Sequence, residues 1–171
     1  VLKGFGSKVA LAALPFAIGS LFNKASAKTT DAVTDALNFL LELKYFEYNY
    51  YHIGNNTGGL IPVADKPGFL TIENHKKAHI VFLQDAVTQL GGVPFVPRHY
   101  TDPASMPPYV PNAYDFTKAG TYAVFTDYNS FLVMAQAFED LGVHAINGQV
   151  EVFLGTNPLL IQILEMICTE G

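Results

Sequence analysis

Apolar positions recur at helical spacing in four stretches of this chain. In the first, from about Asp31 to Ile53, Leu37, Leu40, Lys44, Glu47 and Tyr51 fall on one stripe. Steps of three and four residues keep side chains on one face of an α-helix. The second stretch runs from Gly68 or Thr71 to Leu90 and aligns Ile72, Lys76, His79, Leu83, Ala86 and Leu90. The third runs from Thr126 or Asp127 to Phe153 and aligns Leu132, Ala135, Glu139, Gly142, Ile146 and Val150. The fourth opens at Asn157-Pro158, a cap followed by a proline at the first helical position, and aligns Leu160, Ile163, Ile167 and Glu170. Asn55-Asn56-Thr57-Gly58-Gly59 closes the first stretch, Gly91-Gly92 the second and Gly155 the third. Between the second and third, Val93 to Phe125 breaks the pattern. Pro94, Pro97, Pro103, Pro107, Pro108 and Pro111 exclude a helix or a central strand there. So long a connection suits a bundle whose crossover must travel the full helix length. The pattern predicts an all-α four-helix bundle over residues 31–171, with one long crossover between helices two and three.

Each predicted stripe is apolar except for an ionisable residue or two. Lys44, Lys76, Glu139 and Glu170 are carried toward a common interior, with His79 beside Lys76. A buried unpaired charge costs several kcal/mol, so four of them on core faces are expected to meet. Two positive and two negative groups then cancel.

Composition narrows the classes. Half of the residues are hydrophobic, which is ample for a core, and 15% are charged. The formal net charge of −5 argues against a nucleic-acid binder, which needs a basic face. Cys168 is the single cysteine, which excludes an internal disulfide and a cysteine zinc site. Asn55-Asn56-Thr57 matches a glycosylation sequon.

Residues 1–30 differ from the rest. Lys3 and Lys8 precede an uncharged run from Val9 to Phe22, and Ala25-Ser26-Ala27 follows. A basic stretch, an apolar stretch and an Ala-x-Ala site together read as a secretory signal. Val1-Leu2-Lys3-Gly4 resembles the tail of a twin-arginine export motif. The run falls short of the ~20 residues of a membrane-crossing helix, and Pro15 interrupts it. A retained membrane anchor and an ordinary amphipathic helix stand as the other readings. The start at Val1 and the helical pattern still running at Gly171 read as a fragment of a longer chain.

The helices carry a resemblance. Leu41-Glu42-Leu43-Lys44-Tyr45-Phe46-Glu47-Tyr48-Asn49-Tyr50-Tyr51, with Asn38 upstream, is similar to the first helix of exported ferritin-like proteins related to plant desiccation proteins. Ala135 to Ala145, with Glu139-Asp140-Leu141-Gly142-Val143, resembles their third helix. The resemblance spans about Asp31 to Gly171. It implies a two-metal site in which helices one and three each give a Glu, and helices two and four each give Glu-x-x-His. Glu170 stands where the fourth-helix motif begins. Lys44 and Lys76 stand where the first-helix Glu and second-helix Glu belong, while His79 is kept.

Replacing two carboxylates by two ammonium groups opposes binding of hard divalent ions. The main expectation is therefore a pseudo-site of Lys44, Lys76, His79, Glu139 and Glu170, with no cofactor and no catalysis. The alternative is an iron or manganese site shifted onto Glu47, His79, Glu139 and Glu170, with Glu73 and His75 near Lys76, acting in ferrous iron oxidation or peroxide removal. The balance leans away from an enzyme. It favours a structural or accessory subunit of an envelope complex, exported to the periplasm and in contact with the membrane through residues 1–30. Phe95, Tyr100, Tyr109, Tyr114 and Phe116 of the crossover are expected to dock against that complex. Tyr45, Tyr48, Tyr50 and Tyr51 are expected to serve in helix packing at the bundle end, with a place for Tyr51 beside the ligand region, in electron transfer, as the alternative.

Overall fold

A computed structural model describes residues 30–97, 113–154, 156 and 158–169. Four helices run in chain order: α1 (Thr30–Asn56), α2 (Lys66–Gln89), α3 (Tyr128–Phe153) and α4 (Pro158–Thr169). All four predicted helices are present, and the described residues contain no strand. The limits moved by a few residues at helix ends. α2 begins earlier than expected, because Pro67 sits in its first turn, where a missing N–H costs nothing. α3 begins behind Asp127, whose side chain accepts from the Ser130 N–H at 2.7 Å and so satisfies one of the orphan donors of the first turn.

Contacts set the topology. Asn55 near the end of α1 bonds Phe69 and Glu73 near the start of α2, and Tyr45 receives a bond from Gln84 further along. The two helices are therefore antiparallel. The end of α1 also meets the start of α3, since the Tyr50 hydroxyl donates to the Phe131 carbonyl at 2.7 Å. Tyr128 at the start of α3 donates to Asp65 just ahead of α2. α2 and α3 thus start at the same end of the bundle. The chain leaving α2 must travel back along the whole bundle before α3 can begin, which is why the crossover is long. Its first residues are held by Asn38, which donates to the Val93 carbonyl at 3.0 Å and accepts from the Phe95 N–H at 2.7 Å.

Two apolar clusters fill the interior. One joins all four helices through Leu37, Leu41, Leu83, Ile146, Leu160 and Leu164. The other lies toward the end of α1 and gathers Tyr50, Tyr51, Leu60, Phe116, Phe131 and Ala135. Burying side chains of this kind contributes roughly 1.5–3 kcal/mol each before entropy is counted. Close approach is needed in the aromatic cluster. A Cβ added at Gly54 would stand 2.3 Å from Phe131 Cε2, and Phe131 stacks on Tyr50 at 4.9 Å between centroids.

Three features of the sequence take a definite place here. The crossover aromatics within the described residues face inward: Phe116 packs against Phe46, Tyr50 and Phe138, Tyr114 against Phe46, and Phe95 against Tyr45. They close this chain's own core, as an apolar ring does when a core is within reach. Tyr100 and Tyr109 lie outside the described residues. The α3 stripe is rotated at both ends, where Leu132 and Val150 are exposed and Phe131 and Phe153 are buried instead. Asn55 of the sequon is buried, and its amide is spent on Glu73 and Phe69. Among the described residues no helix is long and apolar enough to cross a membrane. The signal-like or anchoring segment falls outside those residues, apart from Thr30.

Candidate functional site

Between the two apolar clusters lies a layer of charge. α1 passes from Leu41 in one cluster to Tyr50 in the other, and Lys44 and Glu47 fall between. α2 passes from Ile72 to Ile80 with Lys76 and His79 between, and α3 from Phe138 to Ile146 with Glu139 and Gly142 between. Lys44, Glu47, Lys76 and His79 are each no more than 2% exposed. Helical spacing produces this placement: Lys44 and Glu47 are one turn apart, as are Lys76 and His79, so each pair shares a face.

The layer is wired by short contacts. The Lys44 ammonium donates to both Glu47 oxygens, at 3.0 Å and 2.7 Å. The Lys76 ammonium donates to Glu139 Oε2 at 2.5 Å and lies 3.2 Å from Glu47 Oε2. The Tyr51 hydroxyl donates to Glu139 Oε1 at 2.6 Å. Glu47 Oε2 is therefore shared by two ammonium groups, and both oxygens of Glu139 are occupied. Gly142 makes room for this. A Cβ there would stand 2.6 Å from Glu47 Oε1 and 3.1 Å from the Lys44 nitrogen.

Proton affinities follow from this geometry. Burial lowers the pKa of Lys44, and Lys76 adds to that, against the attraction of Glu47. Burial also pulls on Lys76, but Glu47 and Glu139 together outweigh it and its pKa ends raised. Lys76 is thus the firmly charged amine of the two. Burial, then Lys44, Lys76 and His75, push His79 down to about 2, so its imidazole is neutral. Tyr51 is raised by burial and by Glu139, and stays protonated as a donor.

The predicted cluster members are brought together as far as they are described: Lys44, Lys76, His79 and Glu139 share this layer, and Glu170 lies outside the described residues. Two details differ from expectation. Lys44 pairs with Glu47 of its own helix, because a lysine stem readily reaches one turn. Glu47, expected only in the alternative metal set, is the hub of the layer. Its position three residues after Lys44, on the same stripe, was the available signal. Gly142 was placed on the stripe without a role, and its role rests on a three-dimensional approach that no spacing shows.

Glu73, expected near Lys76, belongs to a separate cluster. Its Oε1 is 2.8 Å from His52 Nδ1 and its Oε2 accepts from Asn55 at 2.7 Å. Lys66 donates to the Asn55 carbonyl at 2.6 Å. This cluster fastens the end of α1 to the start of α2. A groove between α3 and α4, lined by Ile146, Asn147, Val150, Phe153, Ile161, Leu164 and Glu165, contains none of the layer's charges.

What the layer can do chemically is limited by its own bonds. A two-metal centre needs carboxylate oxygens free to bind cations and an overall negative donor set. Here the carboxylates of Glu47 and Glu139 already hold two ammonium groups, and the four charges sum to zero. The described residues of the layer do not fit that centre.

A model of the ferritin-like domain family matches residues 32–170. No curated protein and no solved structure matches the chain.

Proposed function

Since the chain belongs to the ferritin-like domain family, we propose that it is a ferritin-like protein whose two-metal site is degenerate, serving as a non-catalytic accessory or structural subunit in the cell envelope. The observation that carries this reading is the Lys76 ammonium lying against carboxylates from two other helices, at 2.5 Å from Glu139 and 3.2 Å from Glu47. An ammonium is a donor only and cannot ligate a metal. The cluster instead joins three helices, which preserves the bundle without redox chemistry. A buried charge set of this kind is expensive to leave half-paired.

Export, a periplasmic location and membrane contact through residues 1–30 belong to the same proposal. They are supported by Lys3, Lys8, the Val9 to Phe22 run and Ala25-Ser26-Ala27. So is the relation to desiccation-related proteins, supported by the α1 and α3 runs. Two assays test the proposal. Ferrous iron oxidation and peroxide removal by the full-length protein are expected at the rate of the buffer blank; turnover above it rejects the non-catalytic role. Isolation from envelope fractions without crosslinking is expected to bring a partner protein. A clean monomer in detergent-free buffer rejects the accessory role.

A further inference from the structure

The two lysines of the charged layer do different work. Among the described residues Lys44 bonds Glu47, one turn along its own helix. Lys76, on α2, reaches Glu139 on α3 and Glu47 on α1. Without Lys44 the described helix-to-helix ties of the layer remain. Without Lys76 both of its ties to other helices are lost, and two carboxylates face one interior with a single ammonium between them. Lys76 is fully enclosed, so its ammonium meets protein acceptors rather than bulk water.

We infer that Lys76 is a tethered cation: its ammonium supplies, on a covalent stem, the charge that carboxylates from facing helices otherwise draw from a free ion, and a chain lacking that stem takes up a small primary ammonium ion in its place. This inference rests on the degenerate-site reading above. The chemistry selects the ion. Removing Lys76 leaves the described layer one charge negative, and a monovalent cation restores neutrality. The lost group gave N–H bonds to two acceptors, so the replacement must carry N–H donors. Ethylammonium has three and fits the volume that alanine vacates. Tetramethylammonium has the charge without a donor and is too bulky. The raised proton affinity of Lys76 accords with this role, and the lowered affinity of Lys44 accords with its lesser one.

The test uses the full-length protein with Lys76→Ala or Lys44→Ala. Melting is followed in ethylammonium chloride, tetramethylammonium chloride and sodium chloride at equal ionic strength. A ligand at about ten times its dissociation constant raises Tm by about 3–6 °C in a domain of this size. That rise is expected for Lys76→Ala in ethylammonium alone, and for neither the unmutated protein nor Lys44→Ala. Equal melting of Lys76→Ala in all three salts overturns the inference. Should the alanine variant not fold, Lys76→Met and Lys76→Met/Glu139→Gln give the second test. The double variant is expected to melt higher than the single, because the stranded carboxylate is gone. Equal melting overturns the inference. The outcomes separate from those of the underlying reading. Stoichiometric metal in the unmutated protein defeats the reading, whereas a metal-free protein without rescue defeats the tethered cation alone.

Discussion

Replacing His79 by glutamine changes how the protein responds to acid. His79 is wholly enclosed, and its imidazole is pushed from 6.5 down to about 2 by burial first and then by Lys44, Lys76 and His75. The folded chain therefore refuses a proton that the unfolded chain accepts below pH 6.5. The stability held by the neutral imidazole is present above that pH and drains away as pH falls toward about 2. With an unfolded value of 6.5, the loss between pH 7 and pH 5 is about 2 kcal/mol, which lowers Tm by about 4–8 °C in a domain of this size. Groups common to both proteins drop out of the difference. Thermal denaturation followed by circular dichroism, from pH 7 to pH 5, is the assay. The unmutated protein is expected to lose about 2 kcal/mol more than His79→Gln over that interval, whatever the variant's stability at pH 7. Parallel decline of the two would refute a buried neutral imidazole in the charged layer.

Other variants probe the same layer. Gly142→Ala places a methyl 2.6 Å from Glu47 Oε1 and 3.1 Å from the Lys44 nitrogen; overpacking of this kind is expected to cost about 1–3 kcal/mol in chemical denaturation. Tyr51→Phe keeps the ring but removes the donor to Glu139, and an expected loss of about 1.5–3 kcal/mol checks that the carboxylate depends on it. An unchanged denaturation midpoint in either variant contradicts the geometry behind it.

Much of the fold is legible along the chain because α1 and α2 are amphipathic in the plain sense. Their apolar residues recur at three and four, so the stripe through Leu37, Leu40, Lys44, Glu47 and Tyr51 is the face that is buried. The lysines could be placed in the interior for the same reason, since a charge on such a stripe has no other way to turn. α3 is harder to read. It carries apolar residues on several sides, with Val133, Leu141 and Val150 exposed, and this dilutes the period until the face is set by what it meets. Phe131 wins its place at the start of α3 because Gly54 lets it approach α1.

Pairing within the layer was less legible than membership. Which carboxylate a lysine chooses depends on side-chain reach and on the angle between helices, and neither is written in spacing. Lys44 and Glu47 are neighbours by sequence, yet Glu47 also turns to Lys76 from another helix. Glu73 shows the converse. It precedes Lys76 by three residues on the same helix, but His52 and Asn55 hold it in a different cluster. The inward packing of the crossover aromatics is hidden for a related reason: proline-rich surroundings suggest an exposed loop, while Phe116 and Tyr114 fall back onto Phe46 of α1.

The central claim is that lysine ammonium groups stand in the layer where the ferritin-like family places metal-binding carboxylates. The most direct measurement is the metal content of the purified full-length protein after equilibration with ferrous iron or manganese and removal of excess ion. The account predicts no stoichiometric metal in the unmutated protein, and metal retention once Lys44 and Lys76 are both replaced by glutamate. Two metal ions per chain in the unmutated protein would contradict it.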